Sequence, residues 1–596
     1  MSATQEQHPV RIGNCSGFYG DRASAMADMA RAGGVDVITG DYLAEVTMLI
    51  LGKARAKDST KGYAGTFLTQ LDAALEHLVA NDIRLVVNAG GLNPGGLVAA
   101  TRDLVARRGY DLCVSHVGGD DVSGRLDALL ADGHALQHLT SGAPLSSWPH
   151  EPLTANAYLG AFGIARALEH GAHIVITGRV ADASLVVGAA AWWWGWGQDD
   201  YDALAGAVAA GHVIECGAQA TGGNFSGFRL IADLRQPGFP IAEVDADGSS
   251  VITKDPGTGG AVTKDTVTAQ LLYEIGDPAY LNPDVVAHLD TAELTDLGND
   301  RVRIAGVRGS APPATTKVAI TGIGGWQNSV VFALTGIDLD AKADLVERSV
   351  RDYAQAVGGL DAVAVDRIGQ AAPDPERQNA GTELLRVAVQ GTKEAAGRGF
   401  SSWMVELALS SYPGLYSLGP PQPGSAFGVY WPALLDQDAL NHLVHHFDGT
   451  TEVIAPGNPH GTAPRAPQHA PARSAESPSG DELVVATLGE IVHARSGDKG
   501  GDANLGVWVR DPRAWEWLES SLTVDELRRL LPETQGLAIS RYELPKLGAV
   551  NFLVQGLLGT GATSTLRLDA QAKALGEWLR ARSAKVPKSI IGQEHS

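Results

Sequence analysis

A regular alternation of apolar runs and amphipathic stretches constrains the fold of this chain more than any other feature. Between residues 10 and 185, short runs rich in β-branched residues are followed by glycine-rich or acidic turns and then by apolar residues at helical spacing. Because parallel strands need crossover connections, this alternation predicts a parallel sheet covered by helices. The expected strands are residues 10–14, 35–39, 84–88, 111–116 and 173–177, with helices such as 67–80 and 97–107 between them.

The middle of the chain has a looser pattern. Residues 8–211 form the expected α/β domain, and residues 212–454 predict an α+β region that completes it. Within that region we expect strands near 317–321 and 330–335 and a helix near 340–357.

The end of the chain predicts a separate small domain. Residues 455–480 are rich in Pro, Ala and Ser and contain almost no large apolar side chains, which indicates a linker. In residues 481–585, strands near 505–509 and 549–558 alternate with helices near 524–531 and 570–582, an order typical of a ferredoxin-like two-layer domain. The predicted fold class is therefore α/β, with a parallel βα-repeat domain, an α+β middle region and a ferredoxin-like C-terminal domain.

Composition excludes several classes of function. The net charge of -22 disfavours sequence-independent binding to nucleic acid or to anionic membranes, so an anionic ligand must meet a local positive site. The three cysteines, Cys15, Cys113 and Cys216, are far apart and odd in number, which argues for a reducing compartment rather than a disulfide framework. The polar start and the absence of a long apolar stretch predict a cytoplasmic protein with neither a secretory signal nor a membrane span.

The loops that follow the predicted parallel strands carry most of the polar and glycine residues of this half. In parallel α/β folds, ligands bind beyond the carboxyl ends of the strands, so these loops predict the site. They are residues 14–22, 40–45, 88–96, 115–121 and 178–182.

Five side chains in these loops are candidate catalytic groups. Cys15 or Ser16 could act as a nucleophile only beside a base, and His116 is the one histidine in the loops placed to reach them, although a buried inert cysteine is the commoner case. The aspartates could transfer protons or cap helices. The predicted catalytic set is Ser16, Asp21, Asp41, His116 and Asp182.

Two kinds of anion site are predicted. The loop 88–96 ends in Pro-Gly-Gly at a helix start, where free backbone N–H groups would favour an anion, although plain tight turns use the same glycines. Arg22 and Arg179, each near an aspartate, could clamp a carboxylate or phosphate, or form structural Arg–Asp pairs. The expected loop contacts come from Asn88, Gly90, Gly91 and Asn93.

Two further glycine-dense segments, residues 215–225 and 493–506, lead into apolar runs. Asn224 lies in the first, and Arg495 and Lys499 make the second a rare local positive site, with an ordinary hairpin loop as the alternative. Asp120 and Asp121 could hold a divalent metal, since hard cations prefer several oxygen ligands. The glycine fingerprint of nicotinamide-binding folds is absent, so no nicotinamide cofactor is expected.

Seven segments together resemble the acyclic terpene utilisation protein A (AtuA) family over about residues 10–582. They are GNCSGFYGDR, GDYLAE, NAGGLNP, ITGRVADASL, CGAQATGGNF, HARSGDKGGDANLGV and AVNFLV.

The resemblance implies a role in the catabolism of branched, terpene-derived acids as coenzyme A thioesters, beside a carboxylase, a hydratase and an acyl-CoA dehydrogenase. In that setting we expect a lyase or hydratase acting on a 3-hydroxyacyl-CoA or related carboxylic acid. A homo-oligomer is the default expectation for such an enzyme. The alternative is a non-catalytic partner or scaffold subunit of an acyl-CoA carboxylase-type complex. Excision of residues 482–596 should separate the two, because an enzyme is expected to keep some turnover without them.

Overall fold

A computed structural model describes residues 8–457 and 482–591, so most of the predicted linker lies outside the described residues. The main body is built on an eleven-stranded sheet whose five central strands are parallel. This confirms the predicted parallel strands, although the one expected at 111–116 begins only at residue 114. In spatial order the parallel strands are Val10–Asn14, Val37–Gly40, Arg84–Val87, Ile174–Thr177 and Val114–Gly118.

The six outer strands of this sheet are antiparallel and come from the middle region of the chain. Sequence patterning predicted a parallel sheet alone, because hairpins need no helical crossover and leave no βα rhythm to detect. The segments 8–211 and 212–454 therefore share one sheet. Beside the first parallel strand lie Pro240–Val244, Ser250–Lys254, Val302–Ala305 and Glu293–Asp296, and beside the last lie Leu443–His445 and Thr451–Val453.

Helices cover both faces of the large sheet. Along Arg84–Val87, the side chain of Val86 packs into one core, and those of Leu85 and Val87 pack into the other, as the two-residue period of a strand requires. The predicted helices at 67–80 and 97–107 are confirmed as Thr66–Ala80 and Pro94–Arg107. The remaining helices of these two layers are Ala25–Ala32, Phe162–Glu169, Ser184–Trp194, Tyr201–Ile214 and Lys264–Leu271. Two further helices, Glu45–Lys57 and Leu126–Ala131, pack against the second sheet.

A second, antiparallel sheet is organised around one 21-residue strand, Thr315–Thr335, which includes both strands predicted at 317–321 and 330–335. Its helices are Leu339–Val357, as predicted within one residue, and Phe400–Ser410. This sheet brings residues distant in sequence to the carboxyl edge of the parallel strands. Its other strands are Pro152–Ala157, Leu360–Ile368, Thr382–Gly391, Tyr416–Ser417 and Ser425–Asp436, and a small third sheet contains Ala279–Leu281, Val286–His288 and Arg308–Ser310.

The C-terminal domain is a four-stranded antiparallel sheet with helices against it. It packs on the main body through apolar contacts, with Trp508, Leu544 and Leu547 buried in the main-body core. Polar contacts add to these: the indole N–H of Trp508 donates to Asp265 at 2.9 Å, and the Lys546 ammonium lies 2.8 Å from Glu293. Its strands are, in spatial order, Val492–Lys499, Asp502–Val509, Ala549–Val554 and Ile539–Leu544, with Leu483–Thr487 paired to Ser583–Pro587, and its helices are Trp515–Ser521, Val524–Leu530 and Leu575–Arg580.

Within residues 8–457 and 482–591, every helix is too short or too polar to cross a bilayer.

Candidate active site

A deep cleft lies where the carboxyl edge of the parallel strands meets the second sheet and the C-terminal domain. The side chains of Glu45, Asp182 and Lys317 keep 30%, 30% and 32% of their surface accessible, although protein surrounds each of them closely. A side chain deep in the protein that still reaches solvent lines a recess. Around these three are grouped Tyr158, Arg179, Glu215, Glu274, Tyr280, Tyr430 and Lys499.

Arg179 is the centre of the cleft wall. Its side chain is 3% exposed, and its guanidinium donates to the carbonyl of Leu43 and to the hydroxyl of Tyr158, each at 2.9 Å. It also forms an ion pair with Asp182 at 2.9 Å. Its backbone N–H donates to Asp120 at 2.8 Å. The arginine is therefore fixed by partners from four parts of the chain.

Glu45 is held ionised at the edge of the cleft. Its carboxylate lies 3.2 Å from the Lys317 ammonium and 3.3 Å from the hydroxyls of both Tyr158 and Tyr430. Burial opposes ionisation, but the charges of Lys317 and Arg179 outweigh it and lower the pKa of Glu45 to about 2. This carboxylate therefore anchors Lys317 and carries no proton at neutral pH.

Asp182 has the opposite electrostatic setting. Burial raises its pKa to about 7, even though Arg179 lies beside it, because the neighbouring carboxylates of Asp41 and Glu45 also disfavour a further negative charge. Among the described residues only Arg179 donates to it. Asp182 can therefore take up or release a proton near neutral pH.

Asp41 lies directly behind Asp182 and is more tightly held. Its carboxylate accepts from the Asn88 side chain at 2.5 Å and from the backbone N–H of Leu43 at 3.0 Å. Burial raises the pKa of Asp41 to about 6. Because Asn88 also accepts from the backbone of Tyr42 at 2.7 Å, the pair joins two neighbouring strand ends. Asp41 is a supporting group rather than a group presented to a ligand.

A buried imidazole–carboxyl pair lies beside the cleft. Nδ1 of His212 is 3.1 Å from Glu215, and its ring is 5.0 Å from that of Tyr280. Burial lowers the pKa of His212 to about 4 and raises that of Glu215 well above its usual range. One Glu215 oxygen has no hydrogen-bond partner within the described ranges. Burial therefore keeps both side chains uncharged, and one oxygen of Glu215 remains available for a further hydrogen bond.

The C-terminal domain contributes to the cleft through its first hairpin. Lys499, at the end of the strand Val492–Lys499, donates to the backbone carbonyl of Glu274 at 2.9 Å and lies 5.7 Å from the ring centre of Tyr280. Glu274 adopts a left-handed backbone conformation with φ of 54°, and its N–H donates to the side chain of Asn504 at 2.8 Å. Lys499 and Asn504 of this hairpin therefore bind the backbone carbonyl and the backbone N–H of Glu274.

The structure brings together several of the predicted site residues. Asp182, Arg179 and Lys499 contact the cleft, and Asp41 and Asn88 support it from behind. Arg495 and Asn224, predicted from separate segments, meet where the guanidinium donates to the Asn224 carbonyl at 3.1 Å.

The predicted link between His116 and the nucleophile candidates is wrong. Three strands separate the strand of His116 from the strand that precedes Ser16, a distance of about 19 Å at roughly 4.8 Å per strand. The His116 ring instead stacks on His445 at 4.4 Å. The Ser16 hydroxyl donates to the Phe18 carbonyl at 3.0 Å, and burial raises the pKa of the Cys15 thiol.

The geometry gives the predicted anion contacts in the loop 88–96 no support, because the N–H groups of Gly90, Gly91 and Asn93 already have protein acceptors. Gly90 donates to the Thr177 carbonyl at 3.1 Å, and Gly91 donates to the Asn88 carbonyl at 3.2 Å. Asn93 caps the helix that follows, with its side chain accepting from the Gly96 N–H at 3.0 Å. This loop is therefore structural.

Asp21 and Arg22 also make local contacts. The Asp21 carboxylate accepts from the N–H groups of Gly17 at 2.8 Å and Arg22 at 2.7 Å, which closes the turn. The Arg22 guanidinium lies 5.2 Å from the ring centre of Phe239. Both side chains stabilise the first loop rather than the cleft.

The proposed metal ligands Asp120 and Asp121 have different partners. Asp120 accepts from the Asn156 side chain and the Arg179 backbone, each at 2.8 Å, and Asp121 pairs with Arg55 at 2.8 Å. In the described part of the chain, no group of three His, Cys, Asp or Glu side chains is arranged to hold a metal ion. The geometry gives the metal prediction no support.

Sequence reasoning identified three of the ten residues grouped in the cleft and missed the other seven. Glu45 and Glu215 lay inside segments already singled out for their composition, so they could have been included. Tyr158, Lys317 and Tyr430 carry no local signal, because they belong to antiparallel strands or follow one directly.

Comparisons with known proteins agree with this division of the chain. The family model described as acyclic terpene utilisation family protein AtuA matches residues 10–446, and the model of the AtuA ferredoxin-like domain matches residues 486–585. No curated protein and no solved structure matches the chain.

Proposed function

This chain belongs to the acyclic terpene utilisation protein AtuA family, and from that membership we propose that it is a lyase or hydratase of branched, terpene-derived acid catabolism. Its substrate class is a 3-hydroxyacyl-CoA thioester or a related carboxylic acid. The proposal includes a cytoplasmic location and a homo-oligomeric state.

The observation that carries the proposal is the separation of two carboxyl pKa values across one cleft. Glu45, with a pKa of about 2, stays ionised and fixes Lys317, whereas Asp182, with a pKa of about 7, exchanges its proton near neutral pH. Two carboxyl groups with such different pKa values can divide the tasks of charge stabilisation and proton transfer. Addition or removal of water next to a carbonyl group needs both tasks.

The cleft residues can be assigned to the steps of this reaction. Asp182 would accept the proton from the carbon next to the thioester or acid carbonyl. The ammonium of Lys317, whose side chain is 32% accessible, would donate a hydrogen bond to the enolate oxygen as negative charge develops there. Protonated Asp182 would then pass that proton to the departing hydroxyl group, which leaves as water. The Tyr158 hydroxyl, positioned by Arg179 at 2.9 Å, would hydrogen-bond to the same group.

Turnover measurements on matched variants test this assignment. The purified protein is incubated with short branched 3-hydroxyacyl-CoA and 2,3-enoyl-CoA thioesters and with the free acids, and products are identified by mass spectrometry. We expect Asp182→Asn to slow turnover by at least about 100-fold, the range typical of a lost general base.

Asp284→Asn is the matched control. Burial raises the pKa of Asp284 to about 6, but its carboxylate accepts from the backbone of Ala161 at 2.8 Å, and no cleft charge acts on it. This variant should retain wild-type turnover. Absence of turnover on every substrate by correctly folded wild-type protein would contradict the proposal and favour the non-catalytic partner of a carboxylase-type complex.

A further inference from the structure

We infer that the C-terminal domain supplies part of the substrate site, with Lys499 binding a second carboxylate at the end of the substrate remote from the reacting carbon. This inference rests on the proposed function and adds a dicarboxylic substrate class to it. It assigns the hairpin at residues 499–502 a role in specificity.

The first observation is the incomplete set of partners around Lys499. Lys499 is an exposed residue, and its ammonium donates to one backbone carbonyl, that of Glu274, at 2.9 Å. Within the described ranges no carboxylate lies at ion-pair distance from it, whereas Lys317 has Glu45 at 3.2 Å. Lys499 therefore has hydrogen-bonding capacity and charge available for an anion.

The second observation is that the cleft places Lys499 near another cation. The charge of Lys317 acts on Lys499, and both ammonium groups act on the same neighbour, Tyr280. Burial and this repulsion lower the pKa of Lys499, so an anion bound near both groups would relieve an unfavourable interaction.

The third observation is the strained backbone of two main-body residues that contact the first hairpin of the C-terminal domain. Glu274 and Asn224 are non-glycine residues with φ of 54° and 56°, and the carbonyls of both accept from C-terminal cations, Lys499 and Arg495. Left-handed conformations at non-glycine residues are unfavourable and persist where surrounding contacts enforce them.

Two buried asparagines of the C-terminal domain hold the backbone around Glu274 in place. Asn504 accepts from the Glu274 N–H, and the Asn551 side chain donates to the Gly276 carbonyl at 2.8 Å. The two asparagines are joined to each other at 2.5 Å. The position of Lys499 is therefore fixed by its own domain and by the main body together.

The chemistry around Lys499 favours a carboxylate over a phosphate group. The carboxylates of Glu274 and Glu45 act on the ammonium, so the local positive charge suits a singly charged anion better than a dianion. The earlier expectation that turnover survives excision of residues 482–596 no longer applies, because excision would remove Lys499 and the contacts that hold Glu274.

Calorimetric titration of the full-length protein tests the inference independently of turnover. The probes are glutarate, which has two carboxylates, butyrate, which has one, and inorganic phosphate. We expect wild-type protein to bind glutarate at least about tenfold more tightly than butyrate, and Lys499→Met to abolish that preference. Lys499→Arg should keep part of it, because the charge remains.

Lys546→Met is the control variant, because Lys546 lies in the same domain and pairs with Glu293 at 2.8 Å outside the cleft. It should keep the wild-type preference. Equal binding of glutarate and butyrate by the wild type, a preference that survives in Lys499→Met, or tighter binding of phosphate than of glutarate would each overturn the inference. Loss of the preference in Lys499→Met together with no thioester turnover would support the second carboxylate site and reject the proposed reaction.

Discussion

The parallel strands of the large sheet and the antiparallel strands around them contribute cations of different kinds to the cleft. Arg179, which follows a parallel strand, is 3% exposed and is held by Leu43, Tyr158 and Asp182. Lys317, on an antiparallel strand, keeps 32% of its side-chain surface accessible.

This difference separates cations that stabilise the protein from cations that contact the ligand. A buried cation held by several partners stabilises the protein around it, whereas a cation that remains partly accessible can exchange solvent for substrate. We therefore expect substitution of Arg179 to affect stability most, and substitution of Lys317 to affect binding and turnover most.

The largest effect should follow Arg179→Met. The substitution leaves Asp182 and Asp41 without their cation in a buried setting, and breaking such a buried pair costs about 3–5 kcal/mol. The free energy of unfolding of the main body, measured by urea titration, should fall by this amount. Arg351→Ala, which removes an exposed pair with Glu347, is the control and should cost no more than about 1 kcal/mol. A loss below about 1 kcal/mol for Arg179→Met would remove the basis of the comparison.

Lys317→Met should show the reverse pattern. We expect turnover to fall about 100-fold, as for removal of one donor to a developing oxyanion. The free energy of unfolding should fall by less than for Arg179→Met, because Arg179 still acts on the charge of Glu45. Lys342→Met is the matched control: Lys342 is also buried against a tyrosine, 5.9 Å from the Tyr412 ring, but it donates to the Thr335 carbonyl outside the cleft. If Lys342→Met reduced turnover as strongly, the loss would be structural.

A pH titration of stability should identify the proton on Asp182. Its pKa rises from an ordinary 3.8 to about 7 on folding, so between these values the folded state binds more protons than the unfolded state. Stability contributed by that proton is present at low pH and is lost as pH rises towards 7. The thermal midpoint of the wild type should therefore fall between pH 6 and pH 8.

Asp182→Asn should reduce this fall without abolishing it, because burial also raises the pKa of Asp120 to about 7. Asp284→Asn is the control, since the pKa of Asp284 is about 6 and most of its titration lies below this interval. An identical fall in wild type and Asp182→Asn would show that Asp182 titrates elsewhere.

The smallest effect is expected for Asn93→Ala. Loss of this helix cap should cost about 1 kcal/mol of stability and leave turnover unchanged, because the loop 88–96 supports the sheet end without contacting the ligand. The readouts are the urea midpoint and the rate with the best substrate. A tenfold loss of substrate affinity would restore the loop as an anion site.

The sequence predicts the parallel strands and their helices because each βα unit leaves its own local pattern. It also predicts Arg179, Asp182 and Lys499, because glycine-dense turns mark their positions. It does not predict Lys317 or Tyr430, which reach Glu45 from 272 and 385 residues away along the chain. Such contacts depend on how the second sheet packs against the first, which no local pattern records. The anion contacts predicted in the loop 88–96 find no support for a related reason, because composition does not show whether N–H groups already have acceptors.

Exchange of substrate hydrogen with D₂O tests the central claim most directly, because it detects proton transfer even when the overall equilibrium hides turnover. The best-bound acyl thioester is incubated with wild type, Asp182→Asn or Asp284→Asn, and deuterium at the carbon beside the carbonyl is measured by mass spectrometry. The wild type and Asp284→Asn should incorporate deuterium at the same rate, and Asp182→Asn at least about 100-fold more slowly. Equal rates in wild type and Asp182→Asn would contradict the assignment of this cleft as the active site.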